Sequence, residues 1–224
     1  MTRPSPGKTA NDVVHIEVLA KPRKRPRQTR SIVLVDALKK TGRDILEKEG
    51  RDAVSLYRLS ECAGVAVSSI YEYFPTIESL IGAIFEDYRA ECRRLLLEDI
   101  QALPLSATLF DGILLALRSG IAALHKWSQI DPDFNVKSAY YDELVRLDLV
   151  KPEHFWSSGA MPALFARFPD EILVHDREKA QFLVNEVLLA SLRVIALKKP
   201  AYLGEADTSL LLARMLHALL TTAE

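Results

Sequence analysis

The chain has 224 residues, of which 49% are hydrophobic and 26% charged, which is enough apolar material for one or two packed domains and too much for a disordered chain. Its formal net charge of −1 hides an asymmetry: eight basic residues meet two acidic ones through Arg30, a net of about +6, while six meet eight from 31 to 80, about −2. No stretch approaches the ~20 uncharged apolar residues of a transmembrane helix and the first residues lack an apolar signal core, so a cytoplasmic protein without a membrane partner is expected.

Residues 1–29 read as a disordered basic arm. Scattered Pro, Gly, Ser and Thr surround one short apolar run, and in KPRKRPRQTR the residues Pro22 and Pro26 prevent regular helix while like charges extend the chain. The periodicity then predicts a helix over 31–49, with Leu34, Leu38, Ile45 and Leu46 on one face and Gly50 ending it. Gly42 inside that helix costs about 1 kcal/mol relative to Ala, which points to close approach of a neighbouring helix or to a weak point.

The stretch 52–80, DAVSLYRLSECAGVAVSSIYEYFPTIESL, is the most informative of the chain. Ser55 can cap a short helix carrying Leu56 and Leu59, Gly64 breaks it in the left-handed conformation, and a second helix starts near Val67 and ends near Phe74, before Pro75. Ala63, Val65 and Ile70 fill the small core between the two, and Ser60 is small enough to let the second helix approach. This is a helix-turn-helix.

Ala63-Gly64-Val65, Ile70-Tyr71, Tyr73-Phe74 and Glu78-Ser79-Leu80 resemble the signature of the DNA-binding domain of TetR-type repressors, over about Arg30 to Leu80. The resemblance implies a three-helix DNA-binding domain over 30–76, double-stranded DNA with a near-palindromic operator as partner, and a homodimer. It places Arg27, Arg30, Ser55, Val67, Ser68, Ser69, Glu72 and Tyr73 at the DNA, with Tyr71 positioning the helix. Three positions depart from the family pattern: Ala66 stands where Ser usually caps the recognition helix, Ser68 where Gly is usual, and Ile77 where Lys usually reaches a phosphate. Glu72 can accept from a cytosine amino group or be solvated or paired within the protein.

Thr76 can cap a long connecting helix over 77–100 that carries Leu80, Ile84, Tyr88, Leu95 and Leu96, and Pro104 breaks the pattern after it. Further helices are predicted over 107–128, closed by Asp131-Pro132-Asp133, over 136–147, and after Lys151-Pro152 up to Phe168-Pro169. The last two should cover 176–199 and 207–221. No alternating strand segment appears, so the fold class is all-α: a helix-turn-helix domain joined by a long helix to a larger C-terminal helical bundle over 77–224.

Trp127, Tyr140, Tyr141, Phe155, Trp156 and Phe165 concentrate in the C-terminal part. They are either ordinary core or the lining of a pocket for a small apolar ligand. The final two helices are apolar around most of their circumference, so a second face must be covered, within the monomer or by a twofold mate. The resemblance implies the latter, with Leu183, Val187, Leu188, Leu192, Leu212 and Leu216 in the dimer interface.

Cys62 and Cys92 have no metal-type spacing and read as buried thiols. The five histidines are scattered, and GxGxxG, Walker-type, HExxH and GxSxG motifs are absent, so neither enzyme nor metal or other cofactor is expected. The resemblance implies a transcriptional regulator, a repressor released from its operator by a small molecule. The alternative is a helical interaction protein of the same fold that has lost specific DNA binding.

Overall fold

The computed structural model describes residues 28–131 and 159–222, and among them there is no strand. Helix α1 (Thr29–Glu49) starts two residues before the predicted position, because Gln28 and Ser31 close a capping box around the first turn. Val35, Leu38, Ile45 and Leu46 form its buried face; Leu34 is only half-buried. Gly50, at φ +85°, turns the chain out of α1 into a short 3-10 turn (Arg51–Ala53). Helices α2 (Leu56–Ala63) and α3 (Val67–Tyr71) follow.

Thr76 accepts a hydrogen bond from the Ser79 amide and Ser79 bonds back to Thr76, which fixes the start of α4 (Ile77–Ala102). Leu80, Ile84, Tyr88 and Leu96 are buried along it, whereas Leu95 is exposed, one position off the core stripe. Gly42 of α1 meets this helix at its closest approach: a Cβ there would lie 3.0 Å from side-chain carbons of both Leu80 and Ile84. The glycine therefore marks a helix crossing rather than a weak point.

Helix α5 (Leu109–Ile130) opens with a capping box between Thr108 and Asp111 and runs back along α4. Beyond it come α6 (Met161–Arg167), α7 (Arg177–Lys198) capped by Asp176, and α8 (Ala206–Thr221). The helix expected over 136–147 lies outside the described residues. Helix α7 is long and apolar enough by length and composition to cross a membrane, but Ala180, Val184, Leu188, Leu192 and Ala196 on one side of it are packed in the core.

Two hydrophobic clusters result. One joins α1–α3 to the first half of α4, Leu80 through Tyr88, so this core continues past residue 76, where the sequence reading placed a domain boundary. The other joins the end of α4, at Leu96 and Ile100, to most of α5 and to α6, α7 and α8. Trp127, near the end of α5, belongs to the first cluster.

Candidate nucleic-acid interface

Local chemistry shapes the motif. The Ser55 hydroxyl accepts from the Arg58 amide at 3.1 Å, satisfying a donor at the start of α2. Gly64, at φ +64°, takes the left-handed turn between the helices, which an L side chain would strain. Ser60 does more than leave room: its hydroxyl donates to the Val65 carbonyl at 2.7 Å and stitches the turn to α2. Leu59 and Ile70 are completely buried where the two helices face each other.

Helix α3 presents Ser68 and Glu72 to solvent, with Val67 and Ser69 half-buried. Ala66 begins it without any side-chain cap. Ser55 is exposed at the start of α2 and Arg30 at the start of α1, while Arg27 lies outside the described residues. The tyrosines require a correction. Tyr73, expected at the DNA, is only 6% exposed in the core, whereas Tyr71, expected to position the helix, is 48% exposed. The reason is spacing: from buried Ile70, positions 73 and 74 come round to the same inner face, and 71 points away.

Tyr57 was missed by the sequence reading. It is 71% exposed on α2, one turn before exposed Glu61. An aromatic ring on the polar face of so short a helix was the available signal. Cys62 is also exposed on α2, and Cys92 half-buried, so the expectation of two buried thiols fails for Cys62. Burial raises the Cys92 thiol pKa above its ordinary value.

Most cations of this unit are engaged within the protein. Lys39 pairs with Asp87 at 2.6 Å and Asp36 at 3.2 Å, Arg43 with Glu47 and Glu91, Arg58 with Glu49 and Glu61, and Arg51 with Asp131 and Glu78. Burial of Lys39 works against its charge, but the bonds to Asp87 and Asp36 outweigh it and the pKa is raised. A cleft of about 240 Å³ between α1 and α4, lined by Asp36, Lys39, Lys40, Arg43, Ile84 and Asp87, thus has internally paired charges along its wall.

The aromatic group expected to line one pocket is divided. Trp127 packs against Phe85 and Tyr88, with ring centroids 4.8 and 5.3 Å away, in the cluster under the motif. Phe165 is half-buried against the C-terminal core, so the two pack in different clusters. Tyr140, Tyr141, Phe155 and Trp156 lie outside the described residues. The set expected at a dimer interface also splits. Leu183 and Val187 are exposed on α7, but Leu188, Leu192 and Leu216 are buried within the monomer and Leu212 partly so. That corrects the assignment of those three to a surface.

A capped helix, a left-handed glycine turn and a second helix with one polar face outward define a helix-turn-helix DNA-binding unit. Residues 39–84 match the family model for bacterial regulatory proteins of the tetR family, which takes in the second half of α1, all of α2 and α3, and the first turns of α4. This unit is a TetR-family helix-turn-helix domain, which supports a DNA-binding transcription regulator as the class of protein that carries it. No curated protein matches the chain.

Proposed function

We propose that the protein is a homodimeric repressor that occupies a near-palindromic operator and is released from it by a small apolar molecule. The observation that carries the dimer is a stripe on α7: Leu183, Val187, Ala190, Val194 and Leu197 recur at spacings of four, three, four and three, and all are exposed. Leu211, Met215 and Ala218 continue an exposed apolar face on α8. Such a seam on a monomer surface is suited to a twofold mate, and twofold symmetry would set two recognition helices in successive major grooves.

At the DNA, Ser68, Ser69, Tyr71 and Glu72 are the groups of α3 that face the groove or its phosphates, with Ser55 and Tyr57 at the edge of α2. Because most cations of the motif are paired internally, Arg27, Arg30 and the other bases of the arm supply the attraction to phosphates. Support for the ligand is in the C-terminal core. Asn185 of α7 is buried there, and its side-chain carbonyl accepts no hydrogen bond among the described residues, a polar group that a bound molecule could satisfy. A small molecule that binds one conformer better shifts the spacing of the recognition helices and lowers operator affinity.

Selection of bound sequences from random DNA is the test. Enrichment of a two-half-site palindrome supports the reading; enrichment of nothing favours an interaction protein that has lost specific binding, the outcome that the uncapped Ala66 would help to explain.

A further inference from the structure

We propose that Arg51 is a positioning residue: through Asp131 it locks the helix-turn-helix to the C-terminal end of α5 and so holds the recognition helix at a fixed angle to the rest of the molecule. The inference rests on the DNA-binding reading above only for its consequence at an operator. Arg51 heads the short turn between α1 and α2, four residues before the Ser55 cap, and its carbonyl accepts from the Val54 amide at 3.0 Å. Its backbone is therefore part of the closed turn that leads into α2. Its guanidinium reaches away from the motif, with Nη1 2.5 Å from Asp131 Oδ2 and Nη2 3.5 Å from Glu78 Oε1 on the first turn of α4.

Asp131 is the unusual partner. It is 0% exposed and sits at the C-cap of α5, where the helix dipole already places partial negative charge. A buried carboxylate at that end of a helix is costly, and stability alone would favour an apolar residue there. The cation that faces it comes from the motif. The guanidinium pairs of Arg43 and Arg58, by contrast, join partly exposed side chains and span α1, α2 and α4.

This end of α5 also meets α4, the apolar cluster and the turn at Pro200–Gly204, where a Cβ on Gly204 would lie 3.7 Å from His125 Cε1. Trp127 stacks obliquely on Phe85 and Tyr88, and the Tyr88 hydroxyl donates to the Ala123 carbonyl at 3.0 Å. Apolar packing is non-directional and permits sliding, whereas an ion pair at hydrogen-bond distance fixes one geometry. Any movement of the end of α5 is thus passed to the turn that precedes α2. With the pair removed, the motif keeps its own core of Leu38, Leu46, Leu59, Ile70 and Phe74 and its Lys39–Asp87 and Arg43–Glu91 pairs to α4, but the direct tie that sets its angle to α5 is gone.

The test replaces the pair by apolar groups in the double variant Arg51→Met/Asp131→Leu, since buried ion pairs exchanged for apolar residues of similar size generally leave a folded protein. The single variant Asp131→Asn, which keeps the shape and removes the charge, provides a second route. Spin labels on native Cys62 of α2 and on exposed Arg118→Cys of α5, in a Cys92→Ser background diluted with unlabelled protein, report the angle within one subunit by pulsed dipolar spectroscopy. A narrow distance distribution in the parent and a broadened one in both variants, at unchanged helix content, is the expected result. An unchanged distribution in either folded variant overturns the proposal. On DNA, the parent should prefer its selected half-site spacing over spacings one base pair longer or shorter by about tenfold, an ordinary coupling, and the variants should lose that preference while binding a single half-site as before. Retained spacing preference also overturns it. A parent that enriches no DNA sequence counts against the DNA-binding reading instead and leaves the distance measurement to decide this one.

Discussion

Ala66 enters α3 with φ −59° and ψ 139° but offers no side-chain oxygen to the Ser69 amide, which bonds only to the Ala66 carbonyl at 2.9 Å. Ala66→Ser should supply that acceptor and stabilise this five-residue helix by about 1 kcal/mol, raising the melting temperature and tightening DNA binding. A thermal melt and a titration at fixed salt check this; no change in either would mean that residue 66 is not the functional start of the helix. Next to it, Tyr71→Phe should weaken DNA binding by about 1 kcal/mol or more with the melt unchanged, because a hydroxyl bonded to a charged phosphate is lost. Tyr73→Ala should do the reverse and lower the melting temperature. If Tyr73→Phe alone reduces affinity, the outward face of α3 has been misassigned.

Asp111 shows a cap of the opposite kind. The backbone N–H of Thr108, and then its hydroxyl, donate to this carboxylate at 2.9 and 2.8 Å and hold its pKa below the ordinary 3.8. The native state therefore binds its proton less readily than the unfolded chain. The stability it contributes is present above about pH 4 and is lost as pH falls through the native value. Urea unfolding of Asp111→Asn between pH 5 and 3 should show a flatter acid limb than the parent; parallel curves would remove the cap as a source of acid sensitivity.

At the scale of elements, close helix crossings are placed where glycines allow them. A Cβ on Gly112 of α5 would lie 2.5 Å from Leu164 Cδ2 and 2.9 Å from Phe168 Cε2, so Gly112→Val should cost about 1–3 kcal/mol by overpacking against α6. Denaturant unfolding measures it, and an unchanged midpoint would mean that α6 can move aside. The helices themselves were legible in the sequence because their signals are local. Ser55, Gly64, Thr76 and Asp176 each cap or end an element through neighbours within a few residues, and α1, α4, α5, α7 and α8 begin within about two residues of their expected positions.

What was not legible depends on partners remote in the chain. Nothing near Arg51 indicates Asp131, eighty residues away, and nothing near Trp127 indicates that it leaves the C-terminal core for the cluster under the motif. Tyr73 failed for a different reason. Its spacing from Ile70 places it inside, a local signal that outweighs the hydroxyl role implied by the family resemblance. Leu188 is alike: its spacing from Val184 and Leu192 places it with the buried row, against the interface role that the resemblance implies.

For the whole molecule, α7 has two apolar faces with different tasks, and neighbouring residues separate them. Leu188 is completely buried and packs in the C-terminal core, whereas Val187, 38% exposed, stands in the 183–197 stripe. A charge introduced at either site is costly, but the cost is felt by different states: at 188 by the folded monomer, at 187 by the association of two folded monomers. Leu188→Glu should therefore unfold or precipitate the protein, so it cannot report on a dimer. Val187→Glu should keep the helical signal and melt close to the parent, yet sediment as a monomer, and Met215→Glu on the α8 face should behave likewise. Each monomeric variant should also bind a palindromic operator far more weakly than the parent while binding one half-site equally well, since only the linkage between the two recognition helices has been removed. Sedimentation of the three variants beside the parent decides it: a folded Val187→Glu dimer would move the interface off this stripe, and a monomeric parent would leave its exposed leucines and valines to a different partner.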